Sequence, residues 1–229
     1  MQVLSTKILS DAQKSLFDGT DIKLYHHDFI QILAKDFSFP NTLEHCIFTS
    51  QNTVRIFVEK ANELGVNLKS IKAYCVGVKT AQLLKSHGID LVYPTDYASD
   101  LAEYLIANHS KLHFTFFCGN MRLDTLPLAF YQNKISYTEI QLYEVQLTSI
   151  KFTNNWNAVL FFSPSGVESF LQQNMLSKDT TAVCIGTTTA SAVNRFTENI
   201  KISTETTVES VLQKMREIVY AQGCSNKKI

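Results

Sequence analysis

Short apolar runs alternate along this chain with segments whose apolar positions recur at helical spacing. The runs fall near 2–6, 21–25, 44–49, 71–76, 89–93, 113–118, 136–142, 157–162, 181–185 and 199–203. Between them, Val54, Phe57, Val58, Ala61 and Leu64 share one helix face, and Leu101, Tyr104 and Leu105 share another. The clearest stripe is the last, with Val208, Val211, Leu212, Met215, Ile218 and Val219; Thr206 and Glu209 predict a capping box at its start. Gly65 and Gly88 predict helix stops, and Asn199 is expected to do the work of Gly88 later in the chain. This alternation predicts an α/β fold with parallel sheets covered by helices.

The pattern occurs twice. Cys46-Ile-Phe-Thr-Ser50 is answered by Val159-Leu-Phe-Phe-Ser163, and Cys75-Val-Gly-Val-Lys-Thr-Ala81 by Cys184-Ile-Gly-Thr-Thr-Thr-Ala190. Pairing Ser50 with Ser163 also pairs Val54 with Val167 and Phe57 with Phe170. Each copy reads as strand, polar turn, helix, strand, polar turn, helix, which implies two like halves with a ligand site between them. The second copy lacks the third strand-helix-strand unit present in the first, and the N-terminal unit is the simplest piece to complete it. The expected domains are therefore 1–30 plus 148–229, and 36–142, with extended crossings near 28–35 and 142–148 pairing as a hinge.

Charge narrows the partners. Lys plus Arg and Asp plus Glu each total 21, so the net charge is zero and the basic field expected of a nucleic-acid binder is absent. No run of about 18 apolar residues suggests a membrane span. Five cysteines without a Cys-x-x-Cys pair, behind an N-terminus lacking a signal-peptide profile, fit a reducing cytoplasm. No sustained heptad or spare apolar stripe calls for a partner subunit, so a monomer is expected.

The four repeat turns are the candidate chemistry: Thr49-Ser50-Gln51 with Ser163-Pro164-Ser165, and Gly77-Val78-Lys79-Thr80 with Gly186-Thr187-Thr188-Thr189. Each follows a strand and opens a helix, where unpartnered N–H groups accept carboxylate or phosphate without needing Lys or Arg. The same Ser and Thr residues are also ordinary N-caps, whether or not an anion binds. A dinucleotide is disfavoured because no Gly-x-Gly-x-x-Gly follows the first strand, and no Walker sequence is present. Ser163-Pro-Ser-Gly is not a hydrolase nucleophile elbow. His26 and His27 are adjacent on a strand and point to opposite faces, and the other histidines are scattered, so no metal is expected. Tyr143, at the second crossing, is either a packing residue of an amphipathic strand or a donor aimed at a ligand.

The residues carry a family resemblance along nearly the whole chain. Val3-Leu-Ser-Thr-Lys7, Phe48-Thr-Ser50, Val76-Gly-Val-Lys-Thr-Ala81, Gly119-Asn-Met-Arg122, Leu142-Tyr-Glu144, Phe161-Phe-Ser-Pro-Ser-Gly166 and Ile185-Gly-Thr-Thr-Thr-Ala190 resemble the uroporphyrinogen-III synthase family. The resemblance implies two flavodoxin-like domains joined by a two-stranded β linker. It implies cyclisation of linear hydroxymethylbilane to uroporphyrinogen III with loss of water and inversion of ring D, without a cofactor. It makes Tyr143 the candidate general acid or hydrogen-bond donor. Ser50, Lys79, Thr80, Ser163, Ser165, Thr188 and Thr189 become candidate contacts for substrate carboxylates, with Thr6, Gly77, Gly119, Arg122 and Gly186 as weaker ones. Lys7 stands where the family often has Arg, Thr187 where Pro is frequent, and Val78-Lys79 where small residues are usual. The alternative, from another class, is a non-catalytic two-domain module that binds a tetrapyrrole or another anion.

Overall fold

The structure is a computed structural model that describes residues 1–225, with side chains to residue 221. In chain order the elements begin β1 (Gln2–Ser5), α1 (Asp11–Lys14), β2 (Lys23–His26), β3 (Ile30–Ala34), β4 (His45–Phe48), α2 (Gln51–Glu63), β5 (Lys72–Val76), α3 (Val78–Ser86) and β6 (Asp90–Thr95). They continue with α4 (Ala98–His109), β7 (His113–Gly119), α5 (Thr125–Asn133), β8 (Ser136–Leu147), β9 (Ala158–Phe161), α6 (Pro164–Leu171), β10 (Thr181–Cys184), α7 (Thr187–Val193), β11 (Ile200–Ile202) and α8 (Val208–Ser225). The chain divides into two compact units, Met1–Gln31 with Gln146–Ile229, and Ile32–Val145.

The first unit holds a five-stranded sheet in the order β11-β10-β9-β1-β2, parallel throughout. Counted within the unit, that is 2-1-3-4-5, the flavodoxin order. The second unit holds β3-β8-β7-β4-β5-β6, and its strands from β8 to β6 are parallel. The order β8-β7-β4-β5-β6 repeats β2-β1-β9-β10-β11 position for position, yet in chain order it reads 5-4-1-2-3. The halves are one sheet connected in two circularly permuted ways, so β4 corresponds to β9 and β5 to β10.

Both faces of each sheet are covered, which is why the strands read as apolar runs rather than alternations. On β4, Cys46 and Phe48 enter one core while Ile47 enters the other. On β10, Ala182 and Cys184 face one way and Val183 the other. In the second unit, Phe57 of α2 packs against Phe48 and Phe117 with ring centroids 5.1 and 4.9 Å away.

The ends of the helices follow local chemistry. Gly65 and Gly88 take φ of 67° and 72° just beyond α2 and α3, and the Val66 and Ile89 N–H groups return to the Ala61 and Leu84 carbonyls. Only a residue without Cβ adopts that conformation cheaply. Asn199 does not serve this way: α7 already ends at Val193, and Asn199 instead donates from Nδ2 to Thr181 Oγ1 (3.1 Å). The start of α8 is also displaced by one residue from the expected box. Thr207 Oγ1 accepts from Ser210 N (3.0 Å), while the Glu209 carboxylate accepts from Gln13 Nε2 (2.8 Å). The run at 136–142 continues as one strand to Leu147, through the stretch expected to be a crossing.

Phe57 is fully buried. Phe57→Ala should cost about 3–5 kcal/mol of unfolding free energy in urea; a loss below about 1 kcal/mol would contradict this packing.

Candidate active site

In an open parallel sheet, ligands bind beyond the carboxyl ends of the strands, where neighbouring connections run to opposite faces. In the second unit that point lies between β4 and β7. Ser50 follows β4 in extended conformation (φ −151°, ψ 152°) and caps α2, its Oγ accepting from Thr53 N at 3.1 Å. The same Oγ lies 2.7 Å from Thr53 Oγ1 and 3.1 Å from the Tyr143 hydroxyl.

Tyr143 reaches Ser50 because β8 is irregular. Cys118 pairs with Gln141, but Gly119 pairs with Tyr143, so Leu142 is an extra residue on β8. Successive residues of a strand normally face opposite sides, and a bulge breaks that alternation. Leu142 and Tyr143 both pack into the core cluster of Phe48, Phe57 and Phe117. The ring then crosses Gly119: a Cβ there would lie 2.5 Å from Tyr143 Cε2 and Cζ and 2.9 Å from its hydroxyl oxygen. Gly119 is thus the space in which the ring sits. Tyr143 is both a packing residue, at 7% exposure, and the owner of a hydroxyl held at a helix start.

The first unit builds the corresponding turn without a tyrosine. Ser163 caps α6, Oγ accepting from Gly166 N at 3.0 Å, and lies 3.1 Å from Ser165 Oγ. Thr6 donates to the Leu160 carbonyl at 2.8 Å, and Gly166 lies close to it. Both repeat serines are therefore N-caps.

The second pair of turns is more divided. Gly77 enters α3 and Gly186 enters α7, with Thr80 and Thr189 at the third position of each helix. Thr80 and Thr189 are 4% and 3% exposed, so both side chains are buried; Thr188 is exposed and Lys79 half-buried. Arg122 is engaged elsewhere: Nε donates to Glu139 Oε1 at 3.0 Å, and the guanidinium also pairs with Asp124. The hydrogen bond to Glu139 leads the causes that hold its charge more firmly than usual. Its pairing with β8 makes it an anchor of the loop after β7.

Cys46, Cys75, Cys118 and Cys184 are buried, and His26 and His27 are hydrogen-bonded. Burial pushes Cys46, Cys118 and Cys184 up to about 12 and Cys75 up to about 11, so these thiols stay protonated at neutral pH. His26 Nδ1 accepts from Leu9 N at 3.1 Å, and His27 Nε2 donates to the Thr148 carbonyl at 3.0 Å. Among the described residues, no cluster of His, Cys, Asp or Glu is placed to hold a metal, and no helix is long and apolar enough to cross a membrane. Sequence reasoning did not single out Thr53 or Asn120. Asn120 sits in the Gly-Asn pair closing β7, a turn signal whose partner only the folded sheet reveals.

The family model described as uroporphyrinogen-III synthase HemD matches residues 26–213. The chain belongs to the uroporphyrinogen-III synthase family. The uroporphyrinogen-III synthase of Chlorobaculum parvum (strain DSM 263 / NCIMB 8327) is 27% identical over 177 residues, covering 69% of this chain and 72% of that protein. The porphyrin biosynthesis protein HemD of Ruminiclostridium josui is 24% identical over 192 residues, covering 75% of this chain but 37% of that longer protein. Among solved structures, the uroporphyrinogen-III synthetase of Helicobacter pylori 26695 superposes with a TM-score of 0.69 at 18% identity, over 95% of this chain and 99% of that one. A mutant uroporphyrinogen III synthase of the extreme thermophile Thermus thermophilus gives 0.67 at 14% identity, over 97% and 99%. These superpositions carry the two-domain α/β fold.

Gly119→Ala places a methyl group inside the Tyr143 ring. The expected cost is about 1–3 kcal/mol in urea unfolding, from overpacking; an unchanged midpoint would contradict the close approach.

Proposed function

We propose that this protein is a uroporphyrinogen-III synthase: a cyclising hydro-lyase that converts linear hydroxymethylbilane to uroporphyrinogen III in tetrapyrrole biosynthesis. The observation that carries the reading is the Tyr143 hydroxyl held 3.1 Å from Ser50 Oγ at the switch point of its sheet, in a chain matched to this family over residues 26–213.

In this reading the Tyr143 hydroxyl donates to the departing substrate hydroxyl, which leaves as water. Loss of that group produces a stabilised cation on the substrate, so no enzymic nucleophile is needed, in keeping with thiols that burial keeps protonated. Ring D then attacks through its substituted carbon and inverts by way of a spiro intermediate, and the proton shed as the pyrrole regains its aromaticity restores the Tyr143 phenol. Unassisted, the chain closes to the symmetric isomer, so the protein's work is chiefly orientation. The substrate's acetate and propionate arms are carboxylates. Helix starts capped by Ser50 and Ser163, those opened by Gly77 and Gly186, and the side chains of Lys79, Ser165 and Thr188 are the donors proposed for them. Thr80 and Thr189 contribute backbone N–H groups, their side chains being buried. Arg122 contributes by holding its loop.

The test is to supply freshly generated hydroxymethylbilane and separate the product isomers. Uroporphyrinogen III should dominate. Only the symmetric isomer at its spontaneous rate would overturn the reading, and binding without turnover would favour the non-catalytic module. Tyr143→Phe should keep the unfolding midpoint while slowing turnover about 100-fold, the lower range of general acid catalysis. Full activity in that variant would remove Tyr143 from the chemistry.

A further inference from the structure

Tyr143 lies just past the bulge, at the last pair of the β7–β8 ladder. The other edge of β8 faces β3, and Lys35 N–H donates to the Leu142 carbonyl at 2.9 Å. On the β7 side the ladder ends at Tyr143, and the backbone beyond it is held by Asn120. Its backbone N–H donates to the Tyr143 carbonyl at 3.3 Å. Its side-chain Oδ1 accepts from Val145 N at 2.8 Å, and its Nδ2 donates to the Val145 carbonyl at 3.3 Å. One side chain therefore satisfies both the N–H and the C=O of Val145, which β7 no longer pairs. Gln141 Nε2 adds a second donor to the Tyr143 carbonyl at 3.2 Å.

The rest of the loop supports this clasp. Gly119, one residue earlier, leaves room for the ring. Arg122, two residues later, ties the loop to Glu139 on β8. Asn120 is thus held from both sides against the segment it grips.

We infer that Asn120 is a positioning residue for Tyr143: its amide clasp on Val145 fixes the backbone beyond the bulge, so that the ring lies over Gly119 and the hydroxyl meets Ser50. The inference rests on the reading of Tyr143 as the donor to the leaving hydroxyl. Asparagine is suited to the task because it presents an acceptor and a donor on one planar group. Aspartate keeps the acceptor for Val145 N–H but sets a carboxylate oxygen against the Val145 carbonyl. Alanine supplies neither bond.

The experiment uses the full chain carrying 13Cε-labelled tyrosine. The chain has nine tyrosines, and the Tyr143 signal is assigned by its loss in Tyr143→Phe. In Asn120→Ala the Tyr143 signal should move or broaden while the others stay in place. On hydroxymethylbilane, kcat should fall about 10- to 100-fold with KM little changed, the cost of a small misplacement of a reacting group. Asn120→Asp should retain more of kcat than Asn120→Ala, and Asn120→Ala should add no further loss in a Tyr143→Phe background. An unmoved Tyr143 signal, or a loss confined to KM, would overturn the inference. Full turnover by Tyr143→Phe alone would instead overturn the donor reading, and the tyrosine signal would still decide the clasp. Should Asn120→Ala not fold, Asn120→Asp carries the same comparison, with a displaced Tyr143 signal expected and an unmoved one decisive against the clasp.

Discussion

One slip of register governs the candidate active site. Where β7 advances from Cys118 to Gly119, β8 advances from Gln141 to Tyr143, and the extra residue turns Leu142 and Tyr143 toward the same core. A large ring added to a packed face needs space, and Gly119 supplies it by having no side chain. A buried phenol also needs a hydrogen-bond partner, and Ser50 at the start of α2 provides one. Strand, loop and helix cap thus meet at a single hydroxyl.

The duplicated sheet explains why the corner exists and why it is not duplicated. β7 and β4 occupy in one unit the places that β1 and β9 occupy in the other. Both pairs flank a switch point, and both are followed by a serine cap. The edge beyond β1 differs, however. β1 and β2 stay in regular register through Ser5 and His26, with no slip to bring an aromatic side chain over the turn. Thr6 spends its hydroxyl on the Leu160 carbonyl instead. The repeat therefore supplies helix starts twice and the proposed proton donor once.

Much of this was legible in the linear pattern, because strands covered on both faces produce apolar runs and helix stops such as Gly65 and Gly88 leave a local mark. The repeat of Ser50 with Ser163 and Gly77 with Gly186 was readable for the same reason. What escaped depends on partners distant in the chain. The bulge at Leu142 exists only relative to β7, and the clasp of Asn120 only relative to Val145. Arg122 looked available to an anion because Glu139 is far from it in sequence. Thr80 and Thr189 were candidate carboxylate contacts, yet at the third position of their helices their side chains are buried, each preceding a buried alanine. The cap of α8 fell on Thr207 rather than Thr206, a choice between adjacent threonines that local pattern does not separate.

The central claim is that the Tyr143 and Ser50 hydroxyls act as one unit in turnover, and a double-mutant cycle with Ser50→Ala and Tyr143→Phe measures it most directly. If the contact is catalytic, each single change lowers kcat for uroporphyrinogen III formation and the double variant loses little more than Tyr143→Phe alone. Independent, additive losses, or a Tyr143→Phe enzyme with unchanged kcat, would contradict the account.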